Sequence, residues 1–416
     1  MEASAANPGP PQAAPWWRGA VFYRVDLRSF ADSSGDGVGD LDGARQRLGY
    51  LELLGVDALW LTALVAAPIT EPGQGRAVDP VLGEVASFDR LVEEAHAAGL
   101  RVALDVAVQH SALGSPGDQR RERFAEAVRF WLDRDVDGLR VAAAPGVVEP
   151  AGAAVREVLR ELRPIVADYP GRSTGVLIDE SSFADGPHEV DWDIGIDLRL
   201  GDTPFDAEAM QDTITRILET ARTAGVEPVW TATSRSQVQP VARFGGGAEG
   251  RAKARALALV VLGLPGIVGL DNGEELALPH GAPRGLGADV PVRGPMPWEG
   301  AEPPFGFSAA PGGWWPMTDE WAPFTVEAQL EDPDSTLSLH RKALELRAEH
   351  PALRGDQIDW FGAPSGCFAF RRSPGGLACA LNASAASVSL PPGEVLLASG
   401  PLDGERLPPN TSVWLV

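Results

Sequence analysis

Cysteine is nearly absent. Cys367 and Cys379 are the only two in 416 residues, too few for a disulfide framework or a zinc cage, and two lone thiols suit a cytoplasmic protein. Lysine is almost as scarce: Lys253 and Lys342 stand alone among 35 basic residues, a usage read as codon bias rather than mechanism. Positive charge as a whole is in deficit. Against 58 acidic residues the formal balance is −23, which argues against nucleic acid or an anionic membrane as partner and favours solubility. No apolar run approaches the roughly 20 residues needed to cross a bilayer. Residues 1–15 are rich in Ala and Pro, with no basic residue and no apolar core. That excludes a signal peptide and reads as a disordered leader.

What is present is a core-forming composition, 44% hydrophobic and 22% charged, enough for two or three domains. From Ala20 onward a short β-branched run and an amphipathic run alternate. The spacing predicts strands at Val21–Asp26, Ala58–Leu61, Val102–Val106, Gly138–Ala142, Val176–Asp179, Val190–Leu198, Val229–Thr233 and Gly266–Leu270. Helices are expected between them at Asp42–Leu54, Phe88–Ala98, Arg121–Arg134, Ala151–Val166, Asp206–Ala224 and Arg251–Leu262. Parallel strands need crossover helices, and eight such units close naturally into a (β/α)8 TIM barrel, here over 16–352. An aperiodic Gly-, Pro- and Trp-rich excursion, 279–321, interrupts the last unit, and helix returns at Val326–His350. From 353 to 416 short strands and turns predict a small antiparallel β-sandwich.

Three stretches invite chemistry. In the fourth strand Arg140 and Ala142 share a face. A buried arginine needs an acid, and the place two residues on holds a methyl group. The run Asp32-Ser33-Ser34-Gly35-Asp36-Gly37-Val38-Gly39-Asp40 offers alternating oxygens on a tight loop. Asp32, Ser34, Asp36, Asp40 and the Val38 carbonyl would suit a hard cation, and an acidic turn held by hydrogen bonds is the alternative. Trp298, Trp314, Trp315 and Trp321 could stack on pyranose rings, although packing of the irregular loop is the commoner use of such residues.

Read in order, the motifs resemble the α-amylase superfamily (glycoside hydrolase family 13), especially its bacterial α-glucosidases. The resemblance runs through Trp16-Trp17-Arg18, Arg28-Ser29-Phe30-Ala31-Asp32, the stretch Leu48–Trp60, Asp105…His110 and Gly138-Leu139-Arg140. It continues in Gly273-Glu274-Glu275-Leu276, Pro295-Met296-Pro297-Trp298 and Phe305-Gly306-Phe307. It implies a retaining mechanism with a nucleophile, an acid/base about 5–5.5 Å away and a third carboxylate on the substrate hydroxyls. The nucleophile position falls on Ala142. The acid/base falls on Glu180, preceded by Asp179 where the family has Gly. The third carboxylate falls on Ser236, within Ser234-Arg235-Ser236. Two of three carboxylates are gone.

Other departures agree. Gln109 replaces an Asn, Glu71–Ala77 replaces an aromatic loop, Gly269 and Asp271 replace tyrosines, and only Ser111–Asp118 stands where the family inserts a subdomain. The resemblance also implies sugar-contacting roles for Asp105, His110, Arg140 and Arg235, and a structural calcium ion in the acidic loop. Asp105 is read first as the charge balance for Arg140. The leading expectation is a cytoplasmic pseudoenzyme that binds a partner protein (an active relative or itself) or an α-glucoside. A weakly active α-glucosidase or transglycosylase recruiting Asp105, Asp179 or Asp271 is the alternative, and a sugar-binding regulator is a third reading.

Overall fold

Eight short parallel strands form a closed ring: β1 (Val21–Asp26), β2 (Ala58–Thr62), β3 (Arg101–Val108), β4 (Gly138–Ala143), β5 (Ser173–Ile178), β6 (Ile194–Asp197), β7 (Glu227–Trp230) and β8 (Ile267–Asp271). β1 pairs with both β2 and β8, so the sheet has no open edge. This computed structural model describes residues 14–62, 64–65, 75–108, 119–143, 160–178, 193–234, 238–278, 294–310 and 315–416. Strand alternation sorts the side chains. Phe22, Trp60, Ala103, Ile196, Val229 and Ile267 fill the interior of the ring, while Tyr23, Leu59, Leu61, Val102 and Leu104 pack outward with the helices.

The surrounding helices are α1 (Leu27–Phe30), α2 (Leu41–Gln46), α3 (Leu48–Leu54), α4 (Val85–Ala97), α5 (Gln119–Leu132), α6 (described over 160–167), α7 (Arg199–Asp202), α8 (Ala207–Ala224), α9 (Pro240–Arg243) and α10 (Gly247–Gly263). After the excursion come α11 (Val326–Glu331) and α12 (Thr336–Glu349). α8 shows why such a segment folds as it does. It buries Ala207, Met210, Ile214, Ile217 and Ala221 on one stripe, the Asp206 side chain caps its first turn, and Gly225 ends it in the left-handed region. Among the described residues no helix is long and apolar enough to cross a membrane.

Beyond the barrel, β9 (Gln357–Phe361), β10 (Cys367–Ser373), β11 (Ala378–Asn382), β13 (Val395–Ala398) and β15 (Thr411–Leu415) form one antiparallel sheet. β12 (Val388–Ser389) and β14 (Arg406–Leu407) form a two-stranded ribbon. Leu407 of the ribbon packs with Ala369, Ala380 and Val413 of the sheet, giving the expected two layers, the second one minimal. The other face of the sheet lies on α10. Trp414 Nε1 donates to the Leu259 carbonyl at 3.0 Å and Ser412 Oγ to that of Ala256 at 2.9 Å. Apolar on nearly every side, α10 is enclosed between barrel and sheet.

Several expected elements are divided or shifted. The helix expected over Asp42–Leu54 is two helices meeting at Arg47, whose guanidinium lies over the Trp298 ring at 4.6 Å. The helix expected over Val326–His350 breaks at 332–335, where Pro333 cannot continue α11 and the Ser335 side chain accepts from Ser338 N to start α12. β6 ends earlier than expected, because the Asp197 carboxylate turns back onto the Arg199 amide at 2.9 Å. β9 and β14 are absent from the expectation: β9 is an edge strand that alternates Ile358 and Trp360 against the core with exposed polar residues, and β14 is only two residues long.

Candidate functional site

Toward the C-terminal ends of the strands the register sets described polar side chains of neighbouring strands side by side. The β3–β4 register sets Asp105 beside Arg140 and Ala107 beside Ala142. Arg140 and Asp105 form a two-pronged pair, Nε to Oδ1 at 2.6 Å and Nη2 to Oδ2. Trp60 Nε1 donates to the same Oδ1, and its ring lies under the guanidinium at 4.3 Å. The pair is largely buried, with side chains 15% and 12% exposed.

This corrects one expectation. The acid that Arg140 needs is not two residues along its own strand, about 6–7 Å further up the barrel, but across the register on β3. Position 142 can hold a methyl without orphaning the arginine. Asp271, another substitute carboxylate considered above, pairs with Arg24 of β1 at 3.3 Å and is itself buried. Both described substitutes are therefore held by arginines. Glu180, Asp179, His110, Arg235, Ser236 and Trp314 lie outside the described residues.

The acidic loop closes on itself. Asp32 accepts from the amides of Gly35 and Gly37, each at 2.7 Å, and from the hydroxyls of Ser34 at 3.1 Å and Ser308 at 2.6 Å. Burial works to raise the Asp32 carboxyl, and the bonds from Ser308, Gly35, Gly37 and Ser34 outweigh it, leaving it below the ordinary value. Asp40 caps α2 through Gly43 N at 2.6 Å and also takes the Ser33 amide at 2.9 Å. Asp36 accepts from Val38 N at 2.8 Å. A carboxylate has about four lone-pair sites, and those of Asp32 and Asp40 are taken by donors of the loop together with Ser308 and the Gly43 amide. Among the described residues no three acidic, histidine or cysteine side chains converge as a metal site. These residues fit a hard cation poorly and fit the hydrogen-bonded turn well.

The described tryptophans of the excursion are core residues. Trp298 is buried, donates to the Phe30 carbonyl at 2.8 Å and meets Phe30 and Tyr50 edge-on. Trp315 and Trp321 are buried with Phe305. Sequence reasoning missed Trp60 and Arg24, although both follow from alternation. They occupy inward positions of β2 and β1, in register with each other. It also missed Tyr23 and Tyr50, which both donate to Glu275, at 2.8 and 2.6 Å.

The model of the alpha-amylase catalytic domain matches residues 25–116 and 198–356. The stretch between, which contains Arg140, Ala142 and Glu180, falls outside both matched segments. A probable alpha-glucosidase of Rhizobium meliloti (strain 1021) is 26% identical over 511 aligned positions, covering 90% of this chain and 91% of that protein. An oligo-1,6-glucosidase of Parageobacillus thermoglucosidasius is 23% identical, covering 80% and 84%. Among solved structures, an alpha-glucosyl transfer enzyme superposes with a TM-score of 0.75 at 26% identity, over 97% of this chain and 100% of that one. The trehalulose synthase of Pseudomonas mesoacidophila MX-45 superposes with a TM-score of 0.78 at 22% identity, over 97% and 99%. The chain belongs to the alpha-amylase family.

Proposed function

We propose that this chain is a catalytically degenerate relative of the α-glucosidases, located in the cytoplasm, that binds a protein partner or an α-glucoside without cleaving it. The observation that carries the reading is the alanine at position 142. β4 places it one strand-repeat beyond Arg140, where the family resemblance puts the attacking carboxylate. A methyl group can neither attack C1 of a sugar nor form the covalent intermediate of a retaining mechanism. Removing one member of a cooperating catalytic set can cost on the order of 10⁴–10⁶ in rate.

Two further observations support the reading. Asp105 and Asp271, two of the candidate substitute carboxylates, are each engaged by an arginine. An inactive trehalulose synthase with an Asp→Ala and an Asp→Asn replacement was captured with isomaltulose, a precedent for sugar binding without turnover on this fold.

Purified protein is expected to show no release of product from aryl α-glucosides, maltose, isomaltose or trehalose above buffer. Ala142→Asp alone is expected to stay inactive, because position 236 is serine. Turnover that disappears in Glu180→Gln would overturn the proposal in favour of an active glucosidase. Titration calorimetry with maltose and trehalose separates the two binding modes: heat identifies a glucoside site, and its absence at millimolar sugar leaves the protein partner.

A further inference from the structure

Tyr23 of β1, Tyr50 of α3 and Glu275 in the turn after β8 meet in the layer between barrel and helices. Glu275 is fully buried. One of its oxygens, Oε1, accepts both phenol hydroxyls, at 2.8 and 2.6 Å, and the other has no hydrogen-bond partner. Tyr23 Oη also accepts from Gly273 N at 3.3 Å, so the phenol ties β1 to the turn. No described cation pairs with the carboxylate. The charged groups nearest the cluster are Asp271, held by Arg24, Glu274 beside it in the turn, Arg341 of α12 facing Tyr50, and Arg47, stacked on the Trp298 ring that meets Tyr50 edge-on.

Each protonation state leaves one atom unsatisfied. Ionised, Glu275 has two hydroxyl donors on one oxygen and no hydrogen bond on the other, with the Gly273 and Glu275 amides close enough to favour the charge and no counter-ion among the described residues. Protonated, its hydroxyl has no acceptor. Hydrogen bonding therefore favours the anion and desolvation favours the acid, and the two oppose each other closely.

We propose that Glu275 is a proton switch built into the β8–β1 seam, whose ionisation loosens the Asn272–Leu278 turn. Burial pushes the carboxyl up to about 7, against the pull of the Tyr50 and Tyr23 hydroxyls and, behind them, of the Glu275 and Gly273 amides. The sign follows from linkage. Between the ordinary glutamate value and about 7 the folded chain holds a proton that the unfolded chain has released. Stability is then fully present at the acidic end of that window and is lost as pH rises through it, the folding constant falling by up to about tenfold per pH unit.

Urea unfolding at pH 5, 6, 7 and 8 tests this, comparing the native chain with Glu275→Gln, which keeps an acceptor for both tyrosines and cannot ionise. The native chain is expected to lose about 10²-fold in folding constant relative to the variant across the window. Parallel pH profiles, including a uniform loss at every pH, would overturn the proposal. If the variant does not fold, infrared spectra of ¹³C-glutamate-labelled protein supply the readout. These use a Glu227→Gln background, because burial also raises that glutamate. A protonated carboxyl band present at pH 6 and gone by pH 8 supports the switch, and its absence at pH 6 refutes it.

Discussion

Arg140 is the residue on which the site turns, and its partner is set by sheet pairing rather than by its own strand. The arginine's demand for an acid was legible in the sequence, because a cation on an inward strand position must be met. The identity of the partner was less so. Asp105, on a strand face with Ala103 and Ala107, was read as a charge balance, while the arginine's own strand pointed to position 142. Only the register, a contact between residues 35 apart, decides between them. Asp105→Ala is expected to destabilise the protein by about 3 kcal/mol, because it leaves a desolvated guanidinium against Trp60. Adding Arg140→Met should recover much of that loss. Urea midpoints of the two variants check both statements, and a neutral Asp105→Ala would show that Arg140 had found another acid.

At the scale of elements, the acidic loop shows how far a motif can be read. Its tight, glycine-punctuated turn was visible, and the need for glycine is concrete at Gly39, where a Cβ would come within 2.1 Å of the Leu27 carbonyl oxygen. Whether the oxygens face an ion or the loop's own amides depends on backbone direction, which composition does not encode. With Asp32 and Asp40 already satisfied, millimolar calcium or its removal by EGTA is expected to move Tm by less than about 2 °C. A drop of several times that on chelation would show that an ion, not hydrogen bonding, shapes the turn. Helix boundaries failed for a similar reason. Arg47 and Ser335 act as breaks through tertiary and capping contacts that periodicity cannot register.

For the whole molecule, the order of strands and the closed barrel were legible because each βα unit carries its own local signal. The antiparallel C-terminal region was legible from its texture, whereas its seat on α10 was not. Its sheet roofs α10, and the buried Arg372 of β10 fastens the junction. Arg372 Nη1 donates to the carbonyls of Gly263 and Leu264, each at 3.2 Å, and Arg347 of α12 holds the same end of α10 from the barrel side through Leu262 and Leu264, at 2.7 and 2.8 Å. Deleting 353–416 would uncover the Leu259 and Ala256 side of α10, so the truncated barrel is expected in the insoluble fraction on expression. A soluble, monomeric barrel on size-exclusion chromatography would contradict this.

Because the acid that satisfies Arg140 sits on the neighbouring strand, this barrel can surrender the carboxylate at position 142 without disturbing its interior. A duplicated gene freed from selection on turnover could cross that step in a single mutation and keep a well-formed protein. Inert copies of such barrels should therefore arise repeatedly, and tallies of sugar-degrading capacity drawn from fold alone will run high.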